Sequence, residues 1–160
     1  LVKLANEKDY SCFFLGAKQE VLEKLVHDYS AKYSKNIIAG FRNGYFSNDQ
    51  EKMIIDQIIK SKANFLFVAM TSPKKEIFLN KYKDELKSIN LIMGVGGSFD
   101  VISGKLKRAP EFMQKVGLEW FYRFAQEPGR MWKRYLIGNI KFMIIIFKAR
   151  FLKSKKNNLS

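Results

Sequence analysis

The sequence predicts an α/β fold, a parallel sheet flanked by helices, followed by a basic helical appendage. Short, continuously apolar runs alternate with segments of helical periodicity up to about residue 104. This alternation is typical of a parallel sheet that is covered by helices on both faces. Beyond that point the alternation stops and basic residues accumulate. We therefore expect an α/β body over residues 1–108 and a helical appendage over residues 109–160.

The first part of the body contains two predicted strands with a helix between them. Residues 10–15 (YSCFFL) form an apolar run that ends at Gly16. Residues 18–33 carry apolar side chains at helical spacing, and residues 36–41 form the next short apolar run. The order strand, helix, strand is the beginning of a βαβ unit, for which a right-handed crossover is expected.

The second part of the body repeats this order. Residues 47–63 predict a helix, because Ser47 and Gln50 match a capping box at its start. Residues 64–70 (NFLFVAM) and 91–95 (LIMGV) predict two further strands. The whole pattern is Rossmann-like, and ligands of such sheets bind beyond the carboxyl ends of the strands. The loops after the strands are therefore the candidate binding region.

The loop after the second strand reads Arg42, Asn43, Gly44, Tyr45 and Phe46. Gly44 predicts a turn with positive φ. Tyr45 either stacks on a base or sugar, or packs at the edge of the protein. Both interpretations remain open from the sequence.

A glycine cluster follows the fourth strand and includes Gly96 and Gly97. It matches neither the dinucleotide fingerprint, whose third glycine is replaced by Phe99, nor the P-loop, since Leu106 follows the Gly-Lys pair. The cluster is either a plain turn or a ligand loop. Asp100 either accepts a hydrogen bond from a sugar hydroxyl or caps a helix.

A further helix is expected after the third strand, with Ser72 as its N-cap and Pro73 at its first position. Lys74 and Lys75 then fall in the first turn, where the helix dipole disfavours positive charge. An anion bound at this helix start would reverse the effect. The alternative is that both lysines point into water.

Net charge and cysteine content limit which classes of function are possible. The chain has net charge +14, and residues 105–160 hold 14 basic and 3 acidic side chains, so this part needs an anionic partner. The single cysteine, Cys12, excludes an intramolecular disulfide and fits a reducing compartment. No signal peptide and no initiator methionine are visible, and we expect the chain to begin inside a longer protein. No metal-ligand cluster is recognisable.

The appendage is predicted to contain one helix over residues 109–126 and a longer one over residues 130–153, separated by a Glu-Pro-Gly break. The apolar stretch at 142–147 (FMIIIF) is far too short to span a bilayer. Its isoleucines nevertheless favour an anionic membrane surface over nucleic acid. A basic stripe runs beside it, formed by Arg130, Arg134, Lys141 and Lys148.

Residues 94–139 resemble the signature of the WecG/TagA/CpsF glycosyltransferases, glycosyltransferase family 26. The words that carry the resemblance are GSFDVISG, RAP, QKVGLEW, QEP and RMWKRYL. Earlier in the chain FFLGAK, NGYF and SPKKE are similar to further blocks of the family. The resemblance covers nearly the whole chain and implies a glycosyltransferase E-type fold.

The family resemblance implies an inverting, metal-independent hexosyltransferase without a cofactor. Its donor is a UDP-sugar of the N-acetylmannosamine type, and its acceptor is a polyprenyl-diphosphate-linked saccharide. The implied location is peripheral, at the cytoplasmic face of the bacterial membrane, in the synthesis of teichoic acid or other surface polysaccharides. The oligomeric state stays open, and a homo-oligomer is one possibility.

The resemblance also assigns roles to individual residues. Arg123, Arg130 and Arg134 are expected to neutralise the leaving diphosphate, since planar guanidinium groups suit phosphate oxygens. The strand-end loops are expected to form the donor pocket, with substrate contacts from Gly16, Asn43, Gly44, Tyr45, Phe46, Ser72, Pro73, Lys74, Gly96, Gly97, Phe99 and Asp100.

Two departures from the family pattern bear on activity. Lys75 stands where the family has glutamine. The family also carries an N-terminal segment with a proposed catalytic aspartate, and we expect this segment to be missing here, since Asp9 does not match its motif. A second hypothesis is therefore a truncated, non-catalytic partner that binds nucleotide sugar or membrane. A third is a basic nucleic-acid-binding protein, recognisable by strongly salt-dependent binding.

Overall fold

The computed structural model describes residues 1–129 of the chain. The chain divides into two compact units, Leu1–Lys107 and Arg108–Ser160. The strands of the first unit are β1 (Cys12–Gly16), β2 (Ile38–Arg42), β3 (Phe65–Ala69) and β4 (Leu91–Gly94). Its α-helices are α1 (Val2–Glu7), α2 (Gln19–Lys32), α3 (Glu51–Lys60), α4 (Lys74–Lys81) and α5 (Ser98–Ile102). The described part of the second unit contains α6 (Glu111–Lys115) and α7 (Glu119–Gln126).

The four strands form one parallel sheet in the order β2-β1-β3-β4. The chain moves from β1 outward to β2, and then crosses back to add β3 and β4 on the other side of β1. This reversal places α2 on one face of the sheet and α3 and α4 on the other. The predicted parallel α/β fold is therefore confirmed. In such sheets the ligand crevice opens where the direction of winding reverses, here between the carboxyl ends of β1 and β3.

Each face of the sheet has its own apolar core. On one face Phe13 and Leu15 of β1 pack with the isoleucines of α3 and with Phe78 of α4. On the other face Phe14 of β1 packs with residues of α1, α2 and α5. Complete burial of a large aliphatic or aromatic side chain contributes about 1.5–3 kcal/mol, so the two cores together stabilise the unit. The isoleucines of α3 in this core are Ile54, Ile55 and Ile58.

On the face of the sheet that carries α3 and α4, a buried acidic residue links these two helices. Glu51, at the start of α3, accepts a hydrogen bond at 2.7 Å from Lys81 at the end of α4. Tyr82 donates a second one at 3.3 Å. The hydrogen bond with Glu51 raises the pKa of Lys81. A buried carboxylate is tolerated only with such partners, and these fix α3 against α4.

The strands and helices of the body begin and end within a few residues of their predicted positions. The first strand starts at Cys12, since Ser11 before it donates its N–H to the side chain of Asn64 at 2.9 Å. The predicted helix over 47–63 is an initial 3₁₀ turn followed by α3, and it ends before Lys62, whose φ is 53°. The capping box of Ser47 with the residue three positions on is confirmed.

The predicted start of the helix after β3 was wrong. Pro73, not Ser72, is the N-cap, and Lys74 is the first helical residue. The reason is visible in the backbone, because Pro73 has ψ near 1° and its carbonyl accepts a hydrogen bond from the N–H of Ile77 at 3.1 Å. Ser72 lies outside the helix, and its bond to Pro73 is cis.

The single helix predicted over residues 109–126 was also wrong, because two short helices occupy this range. Gly117 separates them with a φ of 74°. Its N–H donates to Gln114 at 3.2 Å, and the N–H of Leu118 donates to Met113 at 2.8 Å. This is a Schellman end, which requires a left-handed residue after the helix. The predicted end at Gln126 is confirmed, whereas the predicted helix over 130–153 lies outside the described residues.

One helix of the body was missed entirely. α1 covers Val2–Glu7 and has no side-chain cap. Its buried side chain is Ala5, which packs against the core of the α2 face. A single buried alanine in six residues leaves no periodic pattern in the sequence, so only the tertiary contact defines this helix.

Candidate functional site

The loops that follow the four strands form the carboxyl edge of the sheet, called here the rim. It comprises residues 16–18, 42–46, 70–75 and 95–99. The rim is the expected ligand edge of a doubly wound sheet, and it holds every substrate residue predicted in the first unit except Asp100. Its parts differ in how closely the backbone segments approach one another.

At the β1–β3 crevice the two strands are joined beyond their last residues. The N–H of Ala17 donates to the carbonyl of Ala69 at 3.1 Å. Gly16 has a φ of 120°, and a Cβ there would overlap that same carbonyl. Only glycine fits this position, because any larger residue is excluded by both the torsion and the neighbouring backbone.

The loop after β2 is tied to the same point. The N–H of Gly44 donates to the carbonyl of Ala17 at 3.1 Å, and a Cβ at Gly44 would lie 3.0 Å from the Cα of Gly16. The positive φ predicted at Gly44 was wrong, and the glycine is explained instead by the close approach of the Gly16 backbone. Asn43 donates to Gln19 at 3.2 Å and accepts from the N–H of Tyr45 at 3.1 Å. Four residues, Gly16, Ala17, Gly44 and Ala69, thus form a backbone junction, called here the closed half of the rim.

The two aromatic residues of this loop face different surroundings. The side chain of Tyr45 is 66% exposed at the rim, and a ligand can therefore reach its ring. Phe46 is buried and packs against Phe78 with ring centres 5.7 Å apart. Phe46 therefore belongs to the core, and its predicted contact with substrate stays a prediction.

The two lysines at the start of α4 do not extend into water. Lys74 donates to the carbonyl of Phe46 at 3.1 Å, and its ammonium lies 4.4 Å from the centre of the Phe46 ring. Lys75 lies over Gly94 and pairs with Glu76 at 3.2 Å. Their partly buried positions exclude the alternative in which both lysines point into water. Anion binding by Lys74 is not tested by these contacts.

Glu76 supplies negative charge in the first turn of α4. The hydrogen bond to its own backbone N–H, followed by those from Lys75 and Ser72, lowers the pKa of the Glu76 carboxyl. A carboxylate in the first turn also interacts favourably with the helix dipole. The charge of Glu76 thus offsets that of Lys75, while Lys74 has no acidic partner among the described residues.

The loop after β4, residues 95–99, is called here the open half of the rim. Gly96 has a φ of 52°, and nothing lies within 4 Å of a Cβ placed there. Gly97 is the N-cap of α5, so the interpretation of Asp100 as a helix cap was wrong. Asp100 is buried in the first turn of α5.

Phe99 is the last residue of the open half and packs edge-on against Phe14 at 5.7 Å. It also lines a cavity of about 390 Å³ on the α2 face of the sheet. The wall is mainly aromatic and aliphatic, with the rings of Tyr29 and Tyr33 on the α2 side. Phe99 is therefore a core residue at the border of a cavity, and its contact with substrate remains a prediction.

Of the three arginines predicted to neutralise the diphosphate, the described residues include one. Arg123 lies in α7, and its Nε is buried without a hydrogen-bond partner among the described residues. Arg130 and Arg134 lie outside the described residues. The role of all three remains a prediction.

Arg42 was placed in a candidate binding loop, but no role was assigned to it. It is the last residue of β2, and its Nε is likewise buried without a partner in the described part of the chain. The signal available in the sequence was an arginine at the end of an apolar run. That signal does not reveal burial of the Nε atom, which depends on tertiary packing.

Within residues 1–129, no three histidine, cysteine, aspartate or glutamate side chains are grouped as they would be around a metal ion. His27 is exposed and lies 3.3 Å from Asp28, as expected of a surface residue. No helix in the same range has the length and apolarity needed to cross a membrane.

Comparison with known proteins places these features in a family. The model of the glycosyl transferase WecG/TagA/CpsF family matches residues 1–156. The chain is similar to the N-acetylglucosaminyldiphosphoundecaprenol N-acetyl-beta-D-mannosaminyltransferase of Bacillus subtilis (strain 168), with 36% identity over 157 residues. The aligned region covers 98% of this chain and 58% of that relative.

Proposed function

The chain belongs to the WecG/TagA/CpsF family of glycosyl transferases, and from this we propose that it transfers a sugar to a polyprenyl-diphosphate-linked saccharide. The observation that carries the proposal is the 36% identity to the Bacillus subtilis mannosaminyltransferase over almost the whole chain. The proposed product is an intermediate of teichoic acid or another surface polysaccharide. The proposed donor is a UDP-sugar of the N-acetylmannosamine type.

The rim is the proposed donor site. The backbone junction at Gly16 and Gly44 is held by hydrogen bonds and provides an ordered edge, beside which the donor is proposed to bind. Tyr45 is exposed beside it and offers a ring face for a base or a sugar. Lys74 supplies positive charge at the edge of the same loop.

The transfer itself is proposed to be a single displacement that inverts the anomeric carbon. The acceptor hydroxyl attacks this carbon from the side opposite the diphosphate and gives its proton to a general base. The diphosphate oxygen keeps the electron pair of the broken bond. Negative charge therefore builds on the departing UDP, and we assign its stabilisation to Arg123, Arg130 and Arg134. Guanidinium groups suit this role since they form paired hydrogen bonds with phosphate oxygens.

Peripheral binding to the inner face of the membrane is proposed for the appendage. Large apolar side chains of the described part are between 41% and 65% exposed, and residues 105–160 hold most of the positive charge. Apolar side chains that enter the interface together with lysines near anionic lipid are typical of such binding. The exposed residues are Phe112, Val116, Leu118, Trp120 and Phe121.

A transfer assay tests the proposed function. Purified protein is incubated with UDP-N-acetylmannosamine and polyprenyl-diphosphate-linked N-acetylglucosamine in anionic vesicles, and the lipid-linked disaccharide is measured. Replacing both Arg130 and Arg134 by alanine is expected to lower the rate roughly 100-fold or more, with an unchanged melting temperature of the α/β body. Equal rates in the double variant and the wild type would contradict the assigned role of the arginines.

Binding measurements separate the competing hypotheses. A rise in melting temperature with UDP but without transfer would point to the non-catalytic alternative. If neither transfer nor stabilisation by UDP is observed, the proposed function is refuted. Tight oligonucleotide binding that falls steeply with salt would support the nucleic-acid alternative instead. Removal of residues 140–160 is expected to release the protein from anionic vesicles.

A further inference from the structure

Arg42 combines burial, positive charge and an unpaired donor. Its Nε is shielded from solvent, and no acceptor in the described part of the chain takes its hydrogen. None of the ion pairs of the described residues includes its guanidinium. Buried polar groups are nearly always paired in native proteins, and an unpaired one calls for a specific explanation.

The position of Arg42 in the sheet places it at the rim. It is the last residue of β2 and is paired in register with Leu15 of β1. Paired residues of parallel strands project from the same face, so Arg42 is on the face of Leu15. That face also carries Phe46, and Lys74 at the start of α4 contacts this ring.

The chain on either side of Arg42 is fixed. Gly40, two residues before it, faces the ring of Phe13 so closely that a Cβ would lie 2.7 Å from a ring carbon. Asn43 and Gly44, directly after it, are bonded to Gln19 and Ala17. The guanidinium is therefore presented from a backbone that is already ordered, which lowers the entropic cost of using it to bind a ligand.

Two cations thus lie at the same edge and on the same face of the sheet without an acidic partner. Lys74 donates to the carbonyl of Phe46, which engages one of the three donors of its ammonium. Arg42 has the free Nε donor described above. Partly buried positive charges that lack carboxylate partners favour an anion at this edge.

We propose that Arg42 binds the diphosphate of the nucleotide-sugar donor, with its guanidinium donating to phosphate oxygens. This inference rests on the proposed function, since it assumes a donor bound at the rim. The planar fork of arginine matches two phosphate oxygens at once, and Lys74 contributes as a point charge. Arg42 belongs to the body, so this contact operates independently of the arginines predicted in the appendage.

The test compares the affinities for UDP and for uridine by isothermal titration calorimetry. Arg42→Met keeps the apolar stem and removes the donors, and it is expected to weaken UDP binding about 10- to 100-fold while leaving uridine binding unchanged. Arg42→Lys keeps the positive charge but loses the planar guanidinium. Its affinity for UDP is therefore expected to lie between those of the wild type and Arg42→Met. Lys52→Met is the matched control, because Lys52 is an exposed cation paired with Asp56 on α3, and it is expected to bind UDP as the wild type does.

The ratio of the UDP and uridine affinities distinguishes the loss of a phosphate contact from misfolding, because a structural defect lowers the affinity for UDP and uridine alike. Arg42→Lys provides a second variant if Arg42→Met does not fold. Wild-type UDP affinity in Arg42→Met would overturn the role of Arg42 and leave the proposed function standing. Absence of UDP binding by the wild type would overturn both.

Discussion

In the closed half of the rim two backbone segments are in direct contact, whereas in the open half the turn at Gly96 has no packing neighbour. Gly16, Ala17, Gly44 and Ala69 are joined by two hydrogen bonds of 3.1 Å. Around Gly96, by contrast, no atom lies within 4 Å of the added Cβ. Both halves contain glycines, but for different structural reasons. At Gly16 and Gly44 the neighbouring backbone leaves no room for a side chain, whereas at Gly96 only the left-handed torsion favours glycine.

This difference suggests that the two halves contribute differently to binding in the proposed donor site. A junction held by backbone hydrogen bonds keeps its shape when no ligand is bound, so it presents a fixed surface. The turn at Gly96 has no such contacts and adjusts to a ligand at little cost in lost interactions. Substitutions in the two halves are therefore expected to differ in their effect on stability.

The largest effect is expected from Gly16→Ala. The torsion of 120° is nearly exclusive to glycine, and the new Cβ would overlap the carbonyl of Ala69. We expect a loss of roughly 2–4 kcal/mol in the free energy of unfolding, measured by denaturant titration. Wild-type stability in this variant would show that the junction yields easily and that the closed half is not rigid.

A smaller effect is expected from Gly96→Ala. The torsion of 52° lies in the left-handed helical region, which other residues enter at a cost of about 1–2 kcal/mol, and no clash is added. The same denaturant titration measures it. Gly96→Asn serves as the matched variant, since asparagine tolerates this region better and should recover part of the loss. A loss equal to that of Gly16→Ala would remove the distinction between the two halves.

The smallest effect is expected from Glu76→Gln, which removes the carboxylate that faces Lys75 next to Gly94. The folded-state pKa of Glu76 is lowered, so its contribution is present above the ordinary glutamate pKa and is lost as the pH falls through the lowered value. The wild type should therefore exceed the variant slightly at neutral pH and equal it in acid. A stability difference that is independent of pH would contradict this assignment.

The predictable part of the fold came from apolar runs and local signals. The runs FFL and FLFVA are buried because they form the two central strands, and their sequences alone indicate this. The capping box at Ser47 involves residues three positions apart, so it too is visible in the sequence. The break at Gly117 was equally local, but apolar residues continue across it and hid the helix end.

The features of the site that escaped prediction depend on distant contacts. Lys74 binds the carbonyl of Phe46, which is 28 residues away in the chain. The buried Nε of Arg42 likewise results from the packing of separate elements. Sequence resemblance found the loops of the rim, since their glycines and aromatics form recognisable words. It did not indicate which side chains in these loops are occupied by protein contacts.

Cys12 begins the central strand β1, where its side chain is fully buried. Burial raises the pKa of its thiol to about 11, and the chain contains no second cysteine. The thiolate is the reactive form, so alkylating reagents attack this sulfur only in molecules whose central strand has opened. The native sequence thus contains a chemical reporter of transient opening, and its modification rate measures opening events without an introduced label.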